Sequence, residues 1–168
     1  AQIPVGGGQV TNDLATILST PVAHAERMKT LHGAVHGGAD DEREYLPVPL
    51  LGEDEHHIAR IPRAMVVGII KPRLEETFEL IKERLDQSGL GKEGGARVIL
   101  TGGASQLVGV REMAARILDR QVRLGRPQPL RGLAEAASGP AFAGAVGLLM
   151  WGAGEGRPVL DIAPGPVK

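Results

Sequence analysis

Residues 97–109 read Arg-Val-Ile-Leu-Thr-Gly-Gly-Ala-Ser-Gln-Leu-Val-Gly, and the fold turns on how this stretch is read. Val98, Ile99 and Leu100 form a short unbroken apolar run, the pattern of a strand buried on both faces. Gly102-Gly103 makes a sharp turn, and beyond it Val110, Met113, Ala114, Ile117 and Leu118 recur at helical spacing. A strand delivered directly to a glycine-opened helix is a unit of an α/β fold. The helix start expected at Gly102-Gly103 would present unpaired backbone N–H groups at a positive dipole end, where anions fit. Two residues without side chains also let a phosphate or a flat base lie against the backbone. The same residues equally describe a tight turn that packs strand on helix. Ser105 follows as a helix-start capper; without the closing Gly of G-x-S-x-G it is not an elbow nucleophile.

Upstream the pattern repeats. Gln2-Ile3-Pro4-Val5 reads as a short strand, Gly6-Gly7-Gly8 as its turn, and Thr11 as the cap of a helix with Leu14, Ile17 and Leu18 on one face. Thr20 as cap and Pro21 as first helical residue open a second helix that ends at Gly33. Glu26 and Lys29 share a face of it: a surface ion pair on one reading, a grip for ribose hydroxyls or adenine on the other. Residues 34–57 carry seven acids against Arg43 alone and bracket Tyr45–Leu51, whose Pro47 and Pro49 mark an edge strand. From Ile61-Pro62 a long helix presents Leu74, Phe78, Ile81 and Leu85, with a bend or break expected at Pro72. Gly89–Gly95 is a break, Val122–Leu124 a strand, and 125–140 a Pro/Gly-rich connection. Ala141–Met150 is a helix too apolar on every side to face water, and the tail from Gly152 is expected to fray.

Composition removes several classes of function. The chain has 168 residues, no Cys, 42% hydrophobic residues and a net charge of −1, which describes a globular chain without crosslinks, with the cytoplasm as default compartment. Aromatics are 2%, too few for a platform that stacks single-stranded nucleic acid, so the six arginines between 111 and 131 read as a solvated or interaction face. The glycine-broken apolar run Ala141–Ala153 is shorter than the roughly 20 residues of a membrane span. Gly91-Lys92 lacks the flanking residues of a P-loop, and His56-His57, being adjacent, point apart as metal ligands. The start at Ala1, going directly into a strand-like segment, reads like a piece of a longer protein.

Taken in order, Gly6–Ala15, Ala25–Gly33, Lys71–Glu76, Val98–Gly109, Val122–Pro127 and Gly139–Leu149 resemble the FtsA family of bacterial cell-division proteins, within the superfamily of actin, sugar kinases and heat-shock chaperones. The resemblance implies an actin-like, ribonuclease H-like second lobe: a partial α/β sheet with flanking helices plus an inserted α+β subdomain. The nucleotide-binding subdomain would comprise 1–33 and 89–151, the insert 34–88, and a flexible tail 152–168. ATP is the implied cofactor, with Glu26, Lys29, Gly102, Gly103, Ser105 and Gln106 on its adenosine side, and its Mg²⁺ ligands elsewhere in the family's fold. Ala143, Gly144 and Gly147 match the family's second interlobe helix.

Gly6–Gly8 lacks the Asp of the superfamily loop D-x-G-G-G-T-x-D, so the phosphate loops and the first lobe are expected upstream of Ala1. The C-terminal end, Pro164–Lys168, shows none of the family's amphipathic membrane helix. The implied partners are the C-terminal peptide of the tubulin-like protein FtsZ, docking near the helix arginines Arg60, Arg63 and Arg73 with Met65 beside them, and further copies in an actin-like polymer. The implied function is a polymer-forming anchor between division filament and membrane, with the chain alone not catalytic. A lobe of a sugar or acetate kinase of the same superfamily is the alternative.

Overall fold

The structure is a computed structural model that describes residues 2–53, 58–88 and 97–154. In chain order it comprises α1 (Gly7–Ile17), α2 (Val22–His32), β1 (Tyr45–Pro49), β2 (Ile58–Pro62), α3 (Arg63–Gln87), β3 (Val98–Leu100), α4 (Val110–Leu118), β4 (Val122–Leu124) and α5 (Ala143–Gly152), with single 3₁₀ turns at Gly103–Gln106, Glu135–Ala137 and Pro140–Phe142. Helices and strands mix as an α/β reading expects. The metal-pair test at His56-His57, the P-loop test at Gly91-Lys92, the Gly89–Gly95 break and most of the 152–168 tail lie outside the described residues.

α3 is the spine. Val66, Ile70, Leu74 and Phe78, spaced four apart, are buried and pack against α1 on one side and α4 on the other. α1 contributes Val10 and Leu14, both fully buried, and α4 contributes Val110, Met113 and Ala114. Residues from 1–33, 34–88 and 89–151 thus share one apolar cluster. Pro72 neither splits nor ends α3, which runs unbroken for 25 residues. Buried side chains on both sides of the proline, Val66, Val67 and Ile70 before it and Leu74 and Phe78 after it, hold the flanking turns to the core, outweighing the one backbone hydrogen bond that it removes.

The two sheets are small. β1 and β2 pair antiparallel from Tyr45↔Pro62 to Pro49↔Ile58, burying Leu46 and Val48 while Tyr45 faces out. As an edge, β1 tolerates both of its prolines. β3 and β4 pair in parallel, Val98 with Val122 and Leu100 with Leu124.

Several local expectations are corrected. Residues 2–5 form no strand, and α1 already starts at Gly7, its entry held by the Gly6 amide donating to the Gln9 side chain at 2.8 Å. Thr11 is therefore buried inside α1 and not its cap. Ile17 is 61% exposed, because the buried stripe follows Val10, Leu14 and Leu18. Pro21 caps α2, and the hydroxyl of Thr20 instead donates to the Pro49 carbonyl at 2.7 Å, pinning the end of β1. Arg60 belongs to strand β2 and not to a helix. Ile99 is half exposed, since only one face of the two-stranded β3–β4 sheet is covered. Residues 143–152 are helical, and within this chain only Val146 of α5 is buried. Among the described residues no helix is long and apolar enough to cross a membrane.

These burials set an expected contrast. Ile70→Ala should remove about 3 kcal/mol of stability in denaturant unfolding, because a fully buried branched side chain leaves a cavity, whereas Leu148→Ala, at an exposed position, should change it by less than about 0.5 kcal/mol. Equal effects would contradict this core.

Candidate functional site

Three elements converge around one hollow of about 690 Å³: the start of α1, one face of α2, and the 3₁₀ turn after β3. The turn exists because Gly102 takes φ +95°, which an L side chain rarely adopts, and because the buried Ser105 hydroxyl donates to the Gly102 carbonyl at 2.7 Å. This replaces the long helix start expected at Gly102-Gly103, for α4 opens only at Val110, after Gly109 at φ +83°. What reaches the hollow is one tight turn of backbone with no side chain at Gly103.

The opposite wall is ionic. Lys29 is only 7% exposed, and its ammonium donates to the Gly7 carbonyl at 3.1 Å, to Thr11 Oγ1 at 2.9 Å and to Glu26 Oε2 at 2.6 Å. An ammonium has three N–H donors, so all are spent inside the protein. The Thr11 hydroxyl also bonds Glu26 Oε2 very closely. Both of these contacts use Oε2, and Glu26 Oε1 has no hydrogen-bond partner among the described residues. The Lys29 bond first, then the Thr11 bond, hold the Glu26 carboxyl below the usual carboxylate range. Gly7 completes the junction: a Cβ there would sit 3.0 Å from the Cβ of Ala104, so a larger residue would require α1 or the 3₁₀ turn to give by a few tenths of an ångström.

Of the six residues singled out in sequence, Glu26, Lys29, Gly103 and Gln106 line this hollow. Gly102 and Ser105 lie behind it and shape the turn, so Ser105 acts through its carbonyl bond and not as a helix capper. Sequence reasoning does not single out Gly7 or Thr11 for the site: Gly6–Gly8 reads as a turn and Thr11 as a cap, whereas Gly7 lines the hollow and Thr11 bonds Glu26 and Lys29.

The four expected partner-docking residues do not form one patch. Arg63 lines the same hollow and is held by Asp41 at 2.6 Å, Glu44 at 3.6 Å and the His32 carbonyl at 3.2 Å. Arg73 ties α3 to α1 through Asp13 at 2.5 Å and also pairs with Glu76 at 2.6 Å. It borders a second, shallower hollow of about 480 Å³ with Ile17, Ile69 and Pro72. Met65 is exposed on α3.

Comparison with known proteins converges on one family. The model of the family described as cell division protein FtsA matches residues 1–147. Among curated relatives, each named cell division protein FtsA, the one from Rhizobium meliloti is 49% identical over 150 residues, covering 89% of this chain and 34% of its own. That from Pseudomonas aeruginosa is 35% identical over 152 residues, 90% of this chain and 36% of its own. That from Escherichia coli K12 is 35% identical over 161 residues, 89% of this chain and 37% of its own. The chain thus spans about a third of the length of the relatives it matches.

The ionic wall has a pH signature. Because the folded-state pKa of Glu26 is lowered, its contribution to stability is present above the ordinary carboxylate range and is lost as pH falls through the folded value. In a carbon-detected NMR titration, Lys29→Met should move the Glu26 midpoint upward towards the ordinary value. An unmoved midpoint would mean that the ammonium does not govern this carboxylate.

Proposed function

Because the chain belongs to the FtsA family of cell-division proteins, we propose that the hollow between α1, α2 and the 3₁₀ turn is the adenosine side of an ATP site. The observation that supports the reading is the pairing of a side-chain-free turn at Gly103 with a carboxylate oxygen, Glu26 Oε1, on the facing wall of one hollow. A purine fits against backbone that carries no Cβ, and an ionised carboxylate with a spare oxygen accepts from ribose hydroxyls. Lys29 serves the ligand through Glu26, since its own donors are occupied. On this reading the phosphate clamp and the Mg²⁺ ligands belong to other parts of the two-lobed fold. The matched relatives all carry the FtsA name, which leaves the kinase-lobe alternative without support.

The wider role proposed with it is an ATP-binding, self-associating link between FtsZ filaments and the cytoplasmic face of the membrane, with membrane attachment through a C-terminal amphipathic helix. For the FtsZ tail peptide, the hollow bordered by Arg73 offers Ile17, Ile69 and Pro72 to the apolar part of such a segment, the guanidinium itself being held by Asp13 and Glu76. Arg60, Arg63 and Met65 stand apart from it.

Calorimetry with ATP should find binding by this chain far weaker than by an intact two-lobed relative, and Gly103→Val should weaken it further. Equal affinity for chain and intact relative would contradict this division of the site. Ile17→Asp, at an exposed position, should lower affinity for an FtsZ tail peptide about tenfold, the worth of one apolar contact, while leaving the melting temperature within about 2 °C. Undiminished binding would remove this hollow as the docking site.

A further inference from the structure

Thr11 sits where nothing assigned above requires a hydroxyl. It is buried in the second turn of α1, far from any cap, and three groups meet at its Oγ1. Lys29 Nζ donates to it at 2.9 Å, the Gly7 carbonyl lies 3.1 Å away, and Glu26 Oε2 lies closer than either. A hydroxyl has one hydrogen to give, and the nearer, charged acceptor takes it. The order of donation is therefore Lys29 to Thr11 to Glu26, with a second, direct bond from Lys29 to the same carboxylate oxygen.

The consequence concerns the other oxygen. A carboxylate on an exposed helix face ordinarily rotates about its side-chain torsions and offers either oxygen to solvent. Here two donors from different helices converge on Oε2, the Thr11 hydroxyl from α1 and the Lys29 ammonium from α2, which fixes the plane of the group. Lys29 alone is joined to Glu26 within one helix and leaves the rotation about that bond open. Thr11 supplies the second direction, and it does so from the element whose first turn also walls the hollow. Val at this position would have the same shape without the hydroxyl, leaving the ammonium one acceptor short and the carboxylate held from one side only.

We propose that Thr11 is a positioning residue that fixes the Glu26 carboxylate for recognition of a vicinal diol, so that selection of ribose over sugars lacking the hydroxyls depends on the Thr11 hydroxyl. This rests on the reading of the hollow as an adenosine site. Thr11 touches no ligand itself. It acts by removing rotational freedom from an acceptor that must meet two hydroxyls at once, and freedom removed beforehand is not lost on binding.

The test uses the full chain and two probes, adenosine and 2′,3′-dideoxyadenosine, followed by amide chemical shifts in NMR titrations. Wild type should bind adenosine about tenfold more tightly than the dideoxy probe, the worth of a hydrogen bond to a charged acceptor. Thr11→Val should bring that ratio close to one while leaving affinity for the dideoxy probe unchanged, and Thr11→Ser should restore it. If Thr11→Val does not fold, Thr11→Ala set against Thr11→Ser gives the same comparison. A Thr11→Val ratio equal to wild type, or equal loss for both probes, overturns the role given to Thr11 and leaves the site reading intact. Wild type that binds both probes equally overturns diol recognition by Glu26, and with it this inference. Wild type that binds neither overturns the site reading itself.

Discussion

A buried ammonium must have its donors satisfied, and in this chain that requirement joins two helices into one wall. Lys29 is enclosed between α1 and α2, and its acceptors come from both: the Gly7 carbonyl and Thr11 from one, Glu26 from the other. Were it a surface pair at helical spacing, Glu26–Lys29 would contribute at most about 0.5 kcal/mol. Enclosure changes the sign of the argument more than its size. The pair contributes modest stability, because Glu26 is half exposed and screened, but an unpaired ammonium in the same place would be costly. α1 and α2 are therefore held in a single relative setting, and the hollow inherits its shape from that setting.

The facing wall depends on a different constraint. Backbone can face a hollow without a side chain only where glycine stands, and it can turn tightly only where some residue accepts an unusual φ. Gly103 meets the first need and Gly102 the second, with the Ser105 hydroxyl closing the turn beneath. Both walls are carried by the same core, because α3 packs on α1 and α4 at once and α4 follows the 3₁₀ turn directly. The site is thus set by the apolar stripe of α3 as much as by its own polar groups.

Much of this was legible in the residues, for identifiable reasons. Periodicity located α3 and α4, start and stop residues located α2, the prolines marked β1 as an edge, and the glycine pair marked the turn after β3. The approach of Gly103 to Glu26, some 77 positions apart in the chain, came through family resemblance and not from spacing. Three things stayed hidden. Thr11 looked like a cap because Ser and Thr favour caps locally, and only packing shows that its hydroxyl is spent on a neighbouring helix. Lys29 looked exposed because spacing carries no information on enclosure. The helix expected at Gly102 was a 3₁₀ turn, because the positive φ at Gly109 delays α4 to Val110. Arg63, expected on a partner surface, instead borders the hollow, held by Asp41 from the acidic segment before β1.

The claim on which the account stands is that the 3₁₀ turn and the ionic wall are two sides of one binding crevice. Backbone amide shifts of Gly103 and Gln106 on one side, and of Gly7 and Thr30 on the other, followed during a titration with AMP, test it most directly. The account requires all four to move together and saturate with a single dissociation constant. Movement confined to one side, or two distinct dissociation constants, would contradict it.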